Sequence, residues 1–217
     1  MSLQNKKELL DWFPGTRICM HYGLTEASRS TFLEFHDTDH LDSAGKPVNS
    51  QVDVAVFDNS GNKLPQGESG EIGIKGNMVS PKYLDETKSD INIYRFGEFI
   101  RTGDTGFLDE EGYLHIIGRE KEIINVGGKK VSPAEVEEAV CSLGVGDCVC
   151  IPVEDSLMGE RVKCLVLKGS TSLSFEEIFE RLKSILQPYK IPTEFDWIDS
   201  IPKTESGKKQ RLLINQP

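Results

Sequence analysis

A few side chains in this chain have the types and settings that chemistry on a phosphate or a nucleoside requires. Glu26 closes the run Tyr22-Gly23-Leu24-Thr25-Glu26. A hard cation takes carboxylate oxygen, and few protein ligands when phosphates supply the rest, so Glu26 is a candidate metal ligand with the Thr25 hydroxyl beside it. Asp104 ends Arg101-Thr102-Gly103-Asp104. One carboxylate can accept hydrogen bonds from two neighbouring hydroxyls, which suits a ribose better than a bare phosphate. Lys208 lies in the glycine-containing run Pro202-Lys203-Thr204-Glu205-Ser206-Gly207-Lys208, where an ammonium could act as a point charge on negative charge that moves during a reaction. Taken singly, each has a plain structural alternative. The Tyr22 run reads as an ordinary turn, and Thr-Gly-Asp as a turn or cap. Arg119 reads as a surface ion pair with Glu120 or Glu122, which is worth little. Gly127-Gly128 reads as a hairpin turn, and the basic tail as a solvated end.

The elements that must position these groups are legible around the stretch from Ile100 to Glu137. Two apolar runs, Gly106 to Leu108 and Tyr113 to Ile117, flank Asp109-Glu110-Glu111-Gly112 and predict a hairpin. The charged run Arg119-Glu120-Lys121-Glu122 follows, then a strand from Glu122 to Val126 and a tight turn at Gly127-Gly128. Ser132-Pro133-Ala134-Glu135 predicts a helix start, with Ser132 and Glu135 forming a capping box. Upstream, Asn5 to Phe13 predicts a short helix, and Arg17 to Met20 a strand that Tyr22 to Glu26 leaves as a loop. Gln51 to Phe57 and Gly70 to Lys75 predict strands, with Gly73 marking a bulge or close packing. Downstream, a helix from Pro133 to about Leu143, strands at Cys148 to Val153, Val162 to Leu167 and Glu194 to Ile198, and a helix from Phe175 to Gln187 capped by Ser174 and Glu177 predict a compact α+β unit.

Composition narrows the classes. The 217 residues are 37% apolar, enough for one large or two small domains. No apolar run approaches the length of a membrane span, and Met1 to Leu10 does not read as a signal peptide. The net charge of −10 argues against nucleic-acid binding. The five cysteines, Cys19, Cys141, Cys148, Cys150 and Cys164, contain no Cys-x-x-Cys pair and read as reduced and structural in a cytoplasmic protein. Gly207-Lys208 is no Walker loop, because no glycine stands five residues before it and Lys209 follows it.

With four motifs in order (Tyr22 to Glu26, Arg101 to Asp104, Gly118-Arg119 through Glu137, and Pro202 to Lys208) the chain resembles the adenylate-forming, AMP-binding enzymes of acyl-CoA synthetase or acid–CoA ligase type, and specifically their C-terminal portion. The resemblance implies an α+β fold: a β-barrel-like subdomain from about residue 45 within 1–119, the remnant of a large AMP-binding domain, then a mobile α+β domain over 120–217. It implies ATP or AMP, Mg2+ and coenzyme A as ligands, and a small carboxylic acid as partner. By the same resemblance Tyr22 and Gly23 lie beside the adenine, Thr25 meets the α-phosphate, and Glu26 holds magnesium. Asp104 holds the ribose, and Arg119 the ribose or phosphates. Lys121 is the hinge, Gly127 and Gly128 face the pantetheine arm, and Lys208 is the adenylation lysine.

The chain departs from the family pattern in places. Ile100 stands where an aromatic is usual, Lys82-Tyr83 where Gly-Tyr is usual, and Lys121 where other members place Asp. The family's Ser/Thr/Gly-rich phosphate loop is absent. The expectation is therefore a truncated protein, inactive or nearly so alone, whose orphaned apolar face over residues 1–40 is disordered or buried in an oligomer. A peptide-synthetase adenylation domain and a non-catalytic nucleotide- or partner-binding module are the alternative readings.

Overall fold

The computed structural model describes residues 3–81, 95–205 and 207–214. Lys82-Tyr83 and Ser206 lie outside the described residues. The chain divides into two compact units, Met1–Glu120 and Lys121–Pro217.

The first unit opens with α1 (Leu3–Trp12) and a three-stranded antiparallel sheet of β1 (Met20–Leu24), β2 (Ala27–Leu33) and β3 (Lys46–Pro47). The segment from Tyr22 is therefore not a loop leaving a strand. It lies inside β1, and only Thr25-Glu26 form the turn of a β-hairpin closed by the pair Leu24 and Ala27. The rest of the unit is a five-stranded antiparallel sheet of β4 (Val52–Phe57), β5 (Gly70–Gly76), β6 (Arg95–Phe96), β7 (Phe99–Leu108) and β8 (Leu114–Arg119). The ten-residue β7 is its spine, with β5 along one edge and β6 then β8 along the other. The α+β reading holds, but the barrel-like part is two open sheets: among the described residues no sheet closes.

Alternation along these strands builds the core. Val52, Val54, Ile72, Ile74, Ile100 and Leu114 share one buried cluster, each fully buried apolar side chain contributing roughly 1.5–3 kcal/mol. Phe57, Phe96 and Phe99 gather in a second. Gly73 marks close packing, next to a bulge that the facing strand β7 carries. The register shifts between Glu71 and Gly73, and an added Cβ would stand 2.5 Å from the Phe57 ring. Leu10 of α1 packs with Met20 against Leu33, Leu41 and Tyr113, while Trp12 and Phe13 remain exposed. Beside this cluster the His40 ring stacks on Tyr113 with 3.8 Å between centroids. His40 Nδ1 lies 2.6 Å from Asp37 Oδ1, and the Tyr113 hydroxyl also donates to Asp37.

The second unit is one five-stranded sheet with two helices. β9 (Ile124–Val126) and β10 (Lys129–Val131) form a hairpin around Gly127-Gly128, whose φ angles of 58° and 80° give the left-handed pair that a two-residue turn requires. β11 (Cys148–Asp155) and β12 (Gly159–Leu167) pair antiparallel, and β13 (Glu194–Ile198) adds parallel to β12. α2 (Pro133–Ser142) and α3 (Phe175–Leu182) bring Val136, Val140, Ile178 and Leu182 into one cluster with Cys148, Cys150 and Cys164. The alternate residues Val149, Ile151 and Leu165 pack with Ile198, Ile201 and Ile214.

The two helix starts differ. Ser174 and Glu177 form the expected capping box. Ser132 sits buried at the N-cap of α2 without a side-chain capping bond, and Glu135 pairs instead with Lys190 Nζ at 2.6 Å. α3 also ends at Leu182, short of Gln187, although Leu186 still packs inward. All five cysteines are free, with Cys148, Cys150 and Cys164 buried and Cys19 exposed.

Candidate functional site

Asp104 stands where β7 departs from regular pairing. Gly73 faces Arg101 across β5 and β7, but Glu71 faces Thr105, so β7 carries extra residues over Thr102-Gly103-Asp104. Such a bulge re-aims side chains. Gly103 supplies it with φ +69°. Thr102 holds it from inside: its hydroxyl donates to the Ile72 carbonyl at 2.9 Å and accepts from the Asp104 amide at 3.1 Å. Glu71, 6% exposed, holds it from the side. Its Oε2 accepts from Arg101 Nε at 2.8 Å and its Oε1 from the Gly103 amide at 3.2 Å.

Two predicted residues meet Asp104. Tyr22 Oη donates to Asp104 Oδ2 at 2.6 Å, bridging the hairpin sheet and the five-stranded sheet. Arg119 Nε lies 2.9 Å from Asp104 Oδ1, from the facing position on β8. Arg119 thus pairs with neither Glu120 nor Glu122. Burial, and then the Asp104 charge beside it, push the Tyr22 phenol far above the usual tyrosine range, so it remains a neutral donor. The Asp104 carboxylate is 13% exposed and the Arg119 side chain 59% exposed, so the pair has a fixed inner half and a solvated outer half. Each oxygen of Asp104 keeps further lone-pair sites for a ligand hydroxyl.

Gly23 shapes the same hairpin. An added Cβ would stand 2.5 Å from the Arg29 amide nitrogen and 2.7 Å from the Ala27 carbonyl, so only glycine permits this approach. Across the tight hairpin Arg29 itself has φ +55°. Thr25 is exposed at the tip and Glu26 half-buried, with the Glu26 carbonyl accepting from the Ser80 amide at 2.7 Å.

The remaining predicted residues lie in the second unit. Lys121 falls in the short 3-10 turn Glu120–Glu122, as the first residue of that unit. Gly127 and Gly128 form the β9–β10 turn, with the Gly127 amide donating to the Met158 carbonyl at 2.8 Å. Lys208 is exposed in a small loop whose base is the bridge between Lys203 and Lys209. Inside it the Thr204 amide donates to the Lys208 carbonyl at 2.8 Å and the Lys208 amide to Thr204 Oγ1 at 3.1 Å.

Sequence reasoning singled out Tyr22, Asp104 and Arg119, which the fold gathers, but missed Glu71. The available signal was a carboxylate inside the apolar run Gly70-Glu71-Ile72-Gly73-Ile74.

Residues 1–84 match the AMP-binding enzyme family, and residues 135–208 match the AMP-binding enzyme C-terminal domain. Among curated proteins the chain is 38% identical over 166 residues to an oxalate–CoA ligase of Saccharomyces cerevisiae, covering 75% of this chain and 31% of that protein. Among solved structures it resembles the o-succinylbenzoate CoA synthetase of Bacillus subtilis in complex with its acyl-adenylate intermediate, at 28% identity and a TM-score of 0.88, covering 100% of this chain and 44% of that one. The same synthetase in complex with ATP and magnesium ion matches at 28% identity and a TM-score of 0.84, over 99% and 43%. The chain thus spans less than half the length of these relatives.

Proposed function

The chain belongs to the AMP-binding, adenylate-forming enzymes, and from that premise we propose that it supplies the ribose-binding and lysine-bearing part of an ATP-dependent carboxylic acid–CoA ligase. The observation that carries the reading is the Tyr22–Asp104–Arg119 cluster. In the first half-reaction a carboxylate oxygen of the acid attacks the α-phosphorus of ATP, and pyrophosphate leaves. In the second the sulfur of coenzyme A attacks the acyl carbonyl, and AMP leaves.

Asp104 accepts the ribose hydroxyls, and the neutral Tyr22 phenol holds its carboxylate in place. The exposed guanidinium of Arg119 lies beside the ribose and phosphates. Thr25 offers its hydroxyl to the α-phosphate. Among the described residues no group of three or more His, Cys, Asp or Glu side chains could hold a metal. Glu26 would hold a magnesium ion through its carboxylate, a hard oxygen donor of the kind that cation takes. Held there, it would supply positive charge beside the phosphates. Lys208 acts as a positive point charge on the carboxylate and α-phosphate as charge shifts in the attack. Lys121 is the hinge about which the second unit turns between the half-reactions, and Gly127-Gly128 lie against the pantetheine arm.

Acid-dependent ATP–pyrophosphate exchange tests this, with a panel of carboxylic acids, on the chain alone and on the chain joined to the preceding region of a CoA-ligase relative. Exchange in the joined protein, strongly lowered by Lys208→Ala, is the expected result. No exchange from the folded joined protein with any acid would sink the reading. The chain alone, without the phosphate loop, is expected to be silent.

A further inference from the structure

Glu137 is an acidic residue on the inner side of α2, and it is 5% exposed. A carboxylate that deep requires full compensation. Its Oε1 accepts from the Cys150 amide at 2.8 Å, which ties it to β11. Everything else that reaches it comes from the tail. Lys209 Nζ lies 3.0 Å from Oε2, and Arg211 Nη2 lies 3.0 Å from both oxygens. Lys209 also lies 2.9 Å from Asp147 and donates to the Cys148 carbonyl. Arg211 reaches on to Glu122 through Nη1, and Lys203 pairs with Asp147 at 2.7 Å.

Three of the tail's four basic residues are thereby fastened to acidic groups on the body of the unit, on both sides of Lys208. The segment alternates: Lys209 and Arg211 turn inward and are half-buried, while Lys208 and Gln210 are exposed. Burial works to lower the Lys209 ammonium, but Glu137 and Asp147 outweigh it and raise it above the ordinary lysine value, so the ammonium stays charged. We propose that Glu137 is the positioning residue for Lys208: it fixes the inward face of the tail, and the alternation of the chain then fixes where the outward lysine stands. The inference rests on the reading of Lys208 as the adenylation lysine. A lysine acting through charge alone depends steeply on its placement, and a misplacement of about 1 Å can cost about 100-fold in rate.

Two measurements test it. On the chain itself, trypsin cleavage after Lys208 and Lys209 is expected to rise about tenfold or more in Glu137→Gln, while cleavage after Lys129 and Lys130 stays as it was. Arg211→Gln, which removes a tail partner and keeps the Glu137 carboxylate, is expected to do the same. Unchanged tail cleavage in both variants would overturn the anchor. In the joined protein, Glu137→Gln is expected to lower pyrophosphate exchange by about 10- to 100-fold, yet by less than about twofold when Lys208→Ala is already present. A merely structural role would instead multiply the two losses, and that result would overturn the inference. So would a silent Glu137→Gln beside a crippled Lys208→Ala. Wild-type exchange by Lys208→Ala would overturn the reading of Lys208, and the positioning role with it.

Discussion

Asp104 and Arg119 face each other across β7 and β8, and their side chains meet at 2.9 Å. The pairing is a consequence of sheet register, not of sequence proximity. Because the arginine end is largely solvated, the pair adds little to stability. Asp104→Asn is therefore expected to leave the melting temperature nearly unchanged. The same variant is expected to weaken AMP binding by the joined protein roughly 10- to 100-fold, since hydrogen bonds to a charged partner contribute about 1.5–3 kcal/mol. Calorimetric titration with AMP checks this; equal affinity would remove Asp104 from the ribose site.

Glu71 is the opposite case. It is buried, and it holds both Arg101 and the Gly103 amide. Glu71→Ala leaves an arginine without its main partner and an amide unsatisfied. The expected loss is about 2–3 kcal/mol in urea unfolding of the first unit, below the roughly 3–5 kcal/mol of a fully buried broken pair because Arg101 is partly solvated. A loss below 0.5 kcal/mol, on the order of a plain surface substitution, would show that the bulge is held by Thr102 alone.

The Asp37–His40 pair predicts a pH dependence. The hydrogen bond to Asp37 raises His40 above its ordinary value of 6.5. Its contribution is fully present below that value and is lost as pH rises through the raised one. Burial works to raise Asp37, but Tyr113 and His40 outweigh it and hold it below 3.8, so its contribution is present above 3.8 and lost as pH falls through the lower value. The cluster is therefore most stabilising between these limits. Melting curves of the chain and of His40→Gln are expected to converge as pH rises from about 6 to 9. A constant gap would refute the linkage.

Ser174 caps α3 with its side chain, accepting from the Glu177 amide at 3.2 Å. Ser174→Ala is expected to cost about 1 kcal/mol. Denaturant titration of the second unit checks it, and no change would mean that the capping bond is absent in solution.

The two serines show how far sequence carries. Ser174 and Ser132 have the same local signature, Ser followed three residues on by Glu, yet one caps and the other is buried under its helix. Local rules saw Gly127-Gly128 and the strand Glu194–Ile198, because turn chemistry and apolar alternation are written within a few residues. They placed Tyr22 in a loop, because the partner that makes β1 a strand, Thr31, lies beyond a hairpin whose approach Gly23 alone allows. The roles of Glu71 and Glu137 were not legible in the sequence for a related reason. A buried carboxylate looks like a surface one until the residues that neutralise it, 30 and more than 70 positions away, are brought to it by the fold.

The distribution of thiols makes the chain its own reporter. Cys148, Cys150 and Cys164 are sealed in the core of the second unit, and their surroundings push all three thiols above the ordinary cysteine value. Burial and the raised thiols both disfavour reaction in the folded state, so alkylation of these sites is expected to follow unfolding of that unit. Cys19, exposed in the first unit, takes a label while the fold is intact. A dye placed there needs no engineered cysteine, and what it sees while the buried thiols stay silent is motion of a folded chain.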